Sequence, residues 1–141
     1  MARLSFRNGL PALLLLLQIV GCGGNPRGRL PVSGKVSFRG KPLEKGTIDF
    51  RPVDKRSVGS GAQIVNSAYQ IEELKGLPPG KYEVRVFSSK PDTSPLPEGV
   101  PPGVDRPWIE LIPPNFNVQT EQMVEVTGDG PNEFVFEIPA R

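Results

Sequence analysis

Side chains able to do covalent chemistry are scarce in this 141-residue chain. It carries one cysteine, Cys22, and no histidine. That removes Ser-His and Cys-His nucleophile pairs and every zinc site built from imidazole and thiolate. Carboxylates remain, but apart from Glu72-Glu73 they fall singly along the chain, and none shows the spacing of a calcium loop. They read as solvated faces, so no metal or other cofactor is expected. Two aromatic residues offer a different kind of chemistry. Trp108 is the only tryptophan; it follows a proline-rich run, and Phe116 lies eight residues further on. Flat aromatic faces of this sort suit sugar rings and protein hot spots. The competing reading is that both rings close an open end of a core.

Cys22 sits at the end of an export signal. Arg3 and Arg7 form a short positive start, residues 10–20 are apolar except for Pro11 and Gln18, and small residues precede the cysteine. The apolar run is too short and interrupted for a spanning helix, which needs about 20 such residues. The tetrad Ile19-Val20-Gly21-Cys22 resembles the bacterial lipobox. That resemblance implies cleavage between Gly21 and Cys22 and acylation of the thiol, palmitate included. Several acyl chains hold a protein on a membrane because each buried methylene contributes about 0.8 kcal/mol. Residues 1–21 are thus expected to be a lipoprotein signal peptide, residues 22–30 the lipidated cysteine and a small polar tether, and residues 31–141 one domain. The seven residues after Cys22 reach at most about 25 Å when extended, which keeps the domain close to its membrane.

Without the leader the chain has fifteen basic and fifteen acidic side chains. An exported, neutral chain is a poor candidate for nucleic-acid binding. The distribution is uneven: residues 22–56 hold nine Lys/Arg against three acids, and residues 108–141 one basic residue against six acids. One reading brings the first and last strands side by side, with opposite charges facing each other. The other lets the basic end touch anionic headgroups.

Period-two alternation dominates after Cys22, and no stretch sustains a helical pattern. Val32, Gly34, Val36 and Phe38 alternate with polar residues, and Gly40-Lys41 turns the chain. A second strand over 47–53 points Ile48 and Phe50 inward and Thr47, Asp49 and Arg51 outward, and it ends at Pro52. Ala62 and Ile64, then Tyr69 and Ile71, form a hairpin across Asn66-Ser67 after a loop at Gly59, Ser60 and Gly61. The turn Pro78-Pro79-Gly80 feeds a strand burying Tyr82, Val84 and Val86. Two further strands, 122–127 and 132–138, bury Val124 and Val126, then Phe134, Phe136 and Ile138. Short strands with one apolar face each need a second layer to cover them, which is a β-sandwich. Residues 88–107, rich in proline, read as a stiff insertion without strand signal; a loop this long is usually functional or disordered.

The order VSGKVSFRGKPLEKGTIDFRP, a hairpin, GLPPGKYEVRV, LIPPNFN and VEVTGDGPNEFVFEI resembles the transthyretin-like domains called carboxypeptidase regulatory-like. It is similar, more closely, to small planctomycete lipoproteins of that type. The resemblance spans nearly all of 31–138 and implies a prealbumin-like β-sandwich of about seven strands. An enzyme of that fold hydrolyses hydroxyisourate with histidines and a C-terminal Tyr-Arg-Gly-Ser, whereas this chain lacks histidine and ends Ile138-Pro139-Ala140-Arg141. The expectation is therefore a non-catalytic module anchored in the cell envelope through acylated Cys22. It binds a surface polysaccharide or a protein through Trp108 and Phe116, or serves as a scaffold without a ligand.

Overall fold

Alternating side chains build ten strands in the computed structural model, which describes residues 28–140. The leader, Cys22 and most of the tether lie outside the described residues. The strands are β1 (Val32–Phe38), β2 (Lys41–Pro42), β3 (Lys45–Pro52), β4 (Ser60–Val65), β5 (Ala68–Ile71), β6 (Gly80–Phe87), β7 (Ser89–Pro91), β8 (Trp108–Glu110), β9 (Met123–Val126) and β10 (Asn132–Ile138). The only helical turns among the described residues are two 3-10 turns, Glu73–Lys75 and Pro114–Phe116.

Seven strands follow one path, β10-β1-β5-β4-β3-β6-β9, with β2 paired to β1. Between β5 and β4 the ladder thins to the single pair Val65↔Ala68, and there the sheet folds over. The two halves face each other, as the Phe50 ring shows: from β3 it meets Tyr69 of β5 at 6.0 Å and Phe134 of β10 at 6.4 Å. The domain is an all-β sandwich. Its core comes from the inward phases read in the sequence, among them Val32, Val36, Ile48, Phe50, Ile64, Tyr82, Val84, Val126 and Ile138. Each such side chain, fully buried, contributes roughly 1.5–3 kcal/mol.

The first and last strands pair, and in parallel, from Val32↔Asn132 to Phe38↔Ile138. The charges expected to face across this pair do not meet: Lys35 lies opposite Val135. Ion pairs form instead between near neighbours, Arg85 with Glu83 at 2.6 Å and Arg56 with Asp54 at 3.2 Å.

At Gly34 the pairing of β1 with β10 allows no side chain. Tyr69, opposite Gly34 on β5, reaches across β1 and donates its hydroxyl to the Phe134 carbonyl on β10 at 2.9 Å. A Cβ on Gly34 would lie 2.7 Å from that hydroxyl and 2.8 Å from the Phe134 carbonyl carbon. Burial, and secondarily the charge of Glu133, hold the Tyr69 phenol well above its ordinary pKa.

Boundaries differ from the sequence reading in physically plain ways. The first turn is Arg39-Gly40, at φ 54° and 73°, because both residues of a two-residue hairpin loop of this type need the left-handed region. Ser60 and Gly61 belong to β4, opposite Phe50 and Asp49. Residues 88–107 are not free of strand: β7 and β8 pair as a separate ribbon, Ser89↔Glu110 to Pro91↔Trp108. Local alternation could not show a pair of three-residue strands separated by a long loop.

The β4–β5 hairpin offers a direct test. Asn66 and Ser67 both have positive φ, 49° and 74°, and their amides bond to the Glu44 and Leu43 carbonyls at 2.8 and 2.7 Å. Asn suits this conformation and serine does not. Ser67→Gly is expected to stabilise the fold by about 1 kcal/mol, raising Tm by about 5 °C in a thermal melt. An unchanged or lower Tm would show that the turn carries no strain.

Candidate functional site

The registers give the sandwich two poles. Leu30, where the chain enters, forms an isolated bridge with Leu77 at the Val32 end of β1, and Pro78-Pro79-Gly80 lies at the same pole. The Phe38 end of β1, the start of β3, the end of β6 and the ribbon form the other pole. With seven residues at about 3.3 Å each, β1 separates the two by about 20 Å.

The ribbon stands at this far pole on a fixed root. Glu110 Oε1 accepts the amides of Ser88 and Ile112, both at 2.9 Å. Ser88, buried, donates its hydroxyl to the Lys45 carbonyl at 2.7 Å, and its own carbonyl accepts Leu111 N at 2.7 Å. A carboxylate taking two backbone amides is a strong pin. The loop beyond is closed where it begins and ends: Asp92 N donates to Pro107 O at 2.9 Å, and Arg106 Nη1 donates to the carbonyls of Asp92 and Ser94 at 3.1 and 2.6 Å. Hydrogen bonds from Ser94 hold the Asp92 carboxyl below its ordinary pKa, with smaller contributions from the Arg106 and Lys90 charges.

Trp108, opening β8, is 67% exposed. It shares an open groove of about 560 Å³ with Lys45, Thr47, Gln63, Phe87, Ser88 and Ser89. Thr47 faces Phe87 on one side and Gln63 on the other, so the groove runs along the outer face of β4, β3 and β6. Further along this face the sheet is charged, with Asp49 opposite Arg85, Arg51 opposite Glu83 and Lys81 opposite Glu125. The aromatic end therefore sits beside a wet, charged surface and not inside a core.

Phe116 is elsewhere. It lies in the Pro114–Phe116 turn, half-buried and packed against the core. Around it the 112–117 segment is stitched to itself: Asn117, buried, donates Nδ2 to the Ile112 carbonyl at 2.9 Å and accepts the Val118 amide, while Phe116 N donates to Pro113 O at 2.9 Å. The structure thus separates the two aromatics named from sequence. Phe116 closes the core, and Trp108 stands in solvent. Thr47, Gln63, Phe87 and Lys45, which share the Trp108 groove, were not singled out from the sequence. One of them left a signal: Phe87 is apolar on the outward phase that Lys81, Glu83 and Arg85 define. Gly21 and Cys22 lie outside the described residues.

Among the described residues no three acidic or thiol side chains come together to hold a metal, and no helix is long and apolar enough to cross a membrane. The site can stack an aromatic face and offer hydroxyl, amide and ammonium groups around it. No protein-family model matches this chain, and no curated protein or solved structure is significantly similar to it.

Proposed function

We propose that this chain is an exported, lipid-anchored envelope protein whose β-sandwich binds a polysaccharide, without catalysing a reaction, in the groove beside Trp108. The observation that carries the reading is a large indole ring left in water on a ribbon that hydrogen bonds hold still. Fixing such a ring beforehand lowers the entropy lost on binding. An indole face beside Thr47, Gln63 and Lys45 pairs a stacking surface with hydroxyl, amide and ammonium groups, the combination that a sugar ring needs.

The positive start, apolar run and lipobox-like tetrad support export and anchoring through Cys22. The seven-strand path agrees in number with the transthyretin-like module that the sequence motifs suggest. Anchored at Cys22, the chain enters the domain at the pole opposite the ribbon, which directs Trp108 away from the membrane. That arrangement supports a ligand outside the bilayer for the ribbon.

The test uses the full chain in non-ionic detergent micelles and follows Trp108 emission while envelope polysaccharide fractions are titrated. A saturable shift is expected. A spectrum moved only by protein fractions would replace the glycan with a protein partner, and one unmoved by everything would leave a scaffold without a ligand.

A further inference from the structure

Resting on the polysaccharide reading, we infer that the glycan is acidic, and that a basic groove continuous with the Trp108 groove binds its carboxylates. This second groove, of about 520 Å³, carries Arg39, Lys41, Lys45 and Lys90 against one acid, Glu44. It shares Lys45, Ser88 and Ser89 with the Trp108 groove, so the two form one channel across the root of the ribbon.

Four cations reach this groove from three separate segments: the β1–β2 hairpin, the start of β3, and β7. None of them is in an ion pair among the described residues. Asp92, the acid near Lys90, feels the charges of both Lys90 and Arg106. Like charges gathered in excess over acids repel one another, and a bound anion relieves that repulsion. Arg39 is held in place, its guanidinium 4.8 Å from the Phe38 ring centre on a backbone at φ 54°.

The shape favours a chain over a small anion. The cations are exposed and spread along a groove, without a buried polar cradle that would enclose a single phosphate or sulfate. Repeating carboxylates on an extended glycan meet such a row in sequence, while the sugar at one end stacks on Trp108. An arginine fork also fits a carboxylate in two hydrogen bonds.

The full chain in non-ionic micelles is titrated with two probes, a hexamer of galacturonic acid and a neutral hexamer of glucose. The uronate is expected to bind at least about tenfold more tightly. That advantage should shrink about tenfold when salt rises from about 0.05 to 0.5 M, because screening shortens the Debye length to a few ångströms. In Lys41→Gln/Lys90→Gln, both changes being on exposed residues, the preference for uronate should vanish at an unchanged Tm.

Equal affinity for the two hexamers, or a uronate preference indifferent to salt and to the double substitution, overturns the inference. If the neutral hexamer alone shifts Trp108 emission, the glycan reading stands and its acidic character falls. If neither hexamer nor any polysaccharide fraction binds, both fall. Displacement of bound uronate by phosphatidylglycerol in mixed micelles, dependent on Lys41 and Lys90, would reassign the groove to anionic lipid.

Discussion

Gly34→Ala is expected to cost about 4 kcal/mol, at the upper end of what overpacking does, and to lower Tm by about 20 °C. The methyl group would enter the space between β1 and β10, 2.8 Å from the Phe134 carbonyl carbon and 2.7 Å from the Tyr69 hydroxyl. Neither neighbour can give way cheaply. The carbonyl is backbone within a paired strand, and the hydroxyl is buried and committed to that carbonyl. Relief by shifting β10 would break the ladder and leave both groups unsatisfied in the interior, about 1–3 kcal/mol each.

A second variant separates the two contacts. Tyr69→Phe alone removes one hydrogen bond and should cost about 1 kcal/mol. Combined with Gly34→Ala it removes the hydroxyl clash and leaves the backbone clash, so only a small part of the stability should return. Thermal melts of the three variants decide it. A Gly34→Ala protein melting within about 3 °C of the parent would mean that β10 is free to move, and that the parallel pair is less rigid than the Tyr69 bond implies.

Trp108→Ala should have the largest effect on binding, at least about thirtyfold weaker for the polysaccharide that shifts its emission, as for a hot-spot aromatic worth about 2 kcal/mol. Since the alanine variant has no reporter, its affinity is read by calorimetry. With the ring 67% exposed, the melting curve should hardly move. Phe116→Ala should do the reverse. Its ring packs on the core, so truncation should cost about 2–3 kcal/mol, less than for a fully buried phenylalanine, while affinity survives at temperatures where the variant is folded. Loss of affinity in Phe116→Ala with none in Trp108→Ala would move the site from the ribbon to the 112–117 segment.

Much of the fold was legible because a half-exposed strand writes its burial into every second residue. Val32 to Phe38, Ile48 with Phe50, Tyr82 to Val86 and Phe134 to Ile138 all face as the alternation says, and Asn66-Ser67 marked its turn. The ribbon was not legible. Three-residue strands are too short to show a period, and Pro91 and Pro107 obscured what remained. Gly34 could be seen as an inward position, but not as one where a neighbouring strand's hydroxyl takes the room of a side chain. The site itself depends on contacts distant in sequence. Trp108 shares a groove with Thr47, Gln63 and Phe87 only because β3 pairs with both β4 and β6 and the ribbon folds back beside them. Exposure, which distinguishes Trp108 from Phe116, belongs to the packed molecule and is absent from residue type.

The parallel pair of first and last strands also has a consequence for how the molecule comes into being. Val32 aligns with Asn132, so the edge of β1 that β10 covers is closed only when β10 is present. Contacts this far apart in sequence make folding slow. Until β10 arrives, the seven-residue strand β1 stands with one edge open, the kind of edge on which chains associate wrongly. A chain ending before Asn132 would keep that edge permanently. Closing that edge thus waits on β10, a strand that begins one hundred residues after β1.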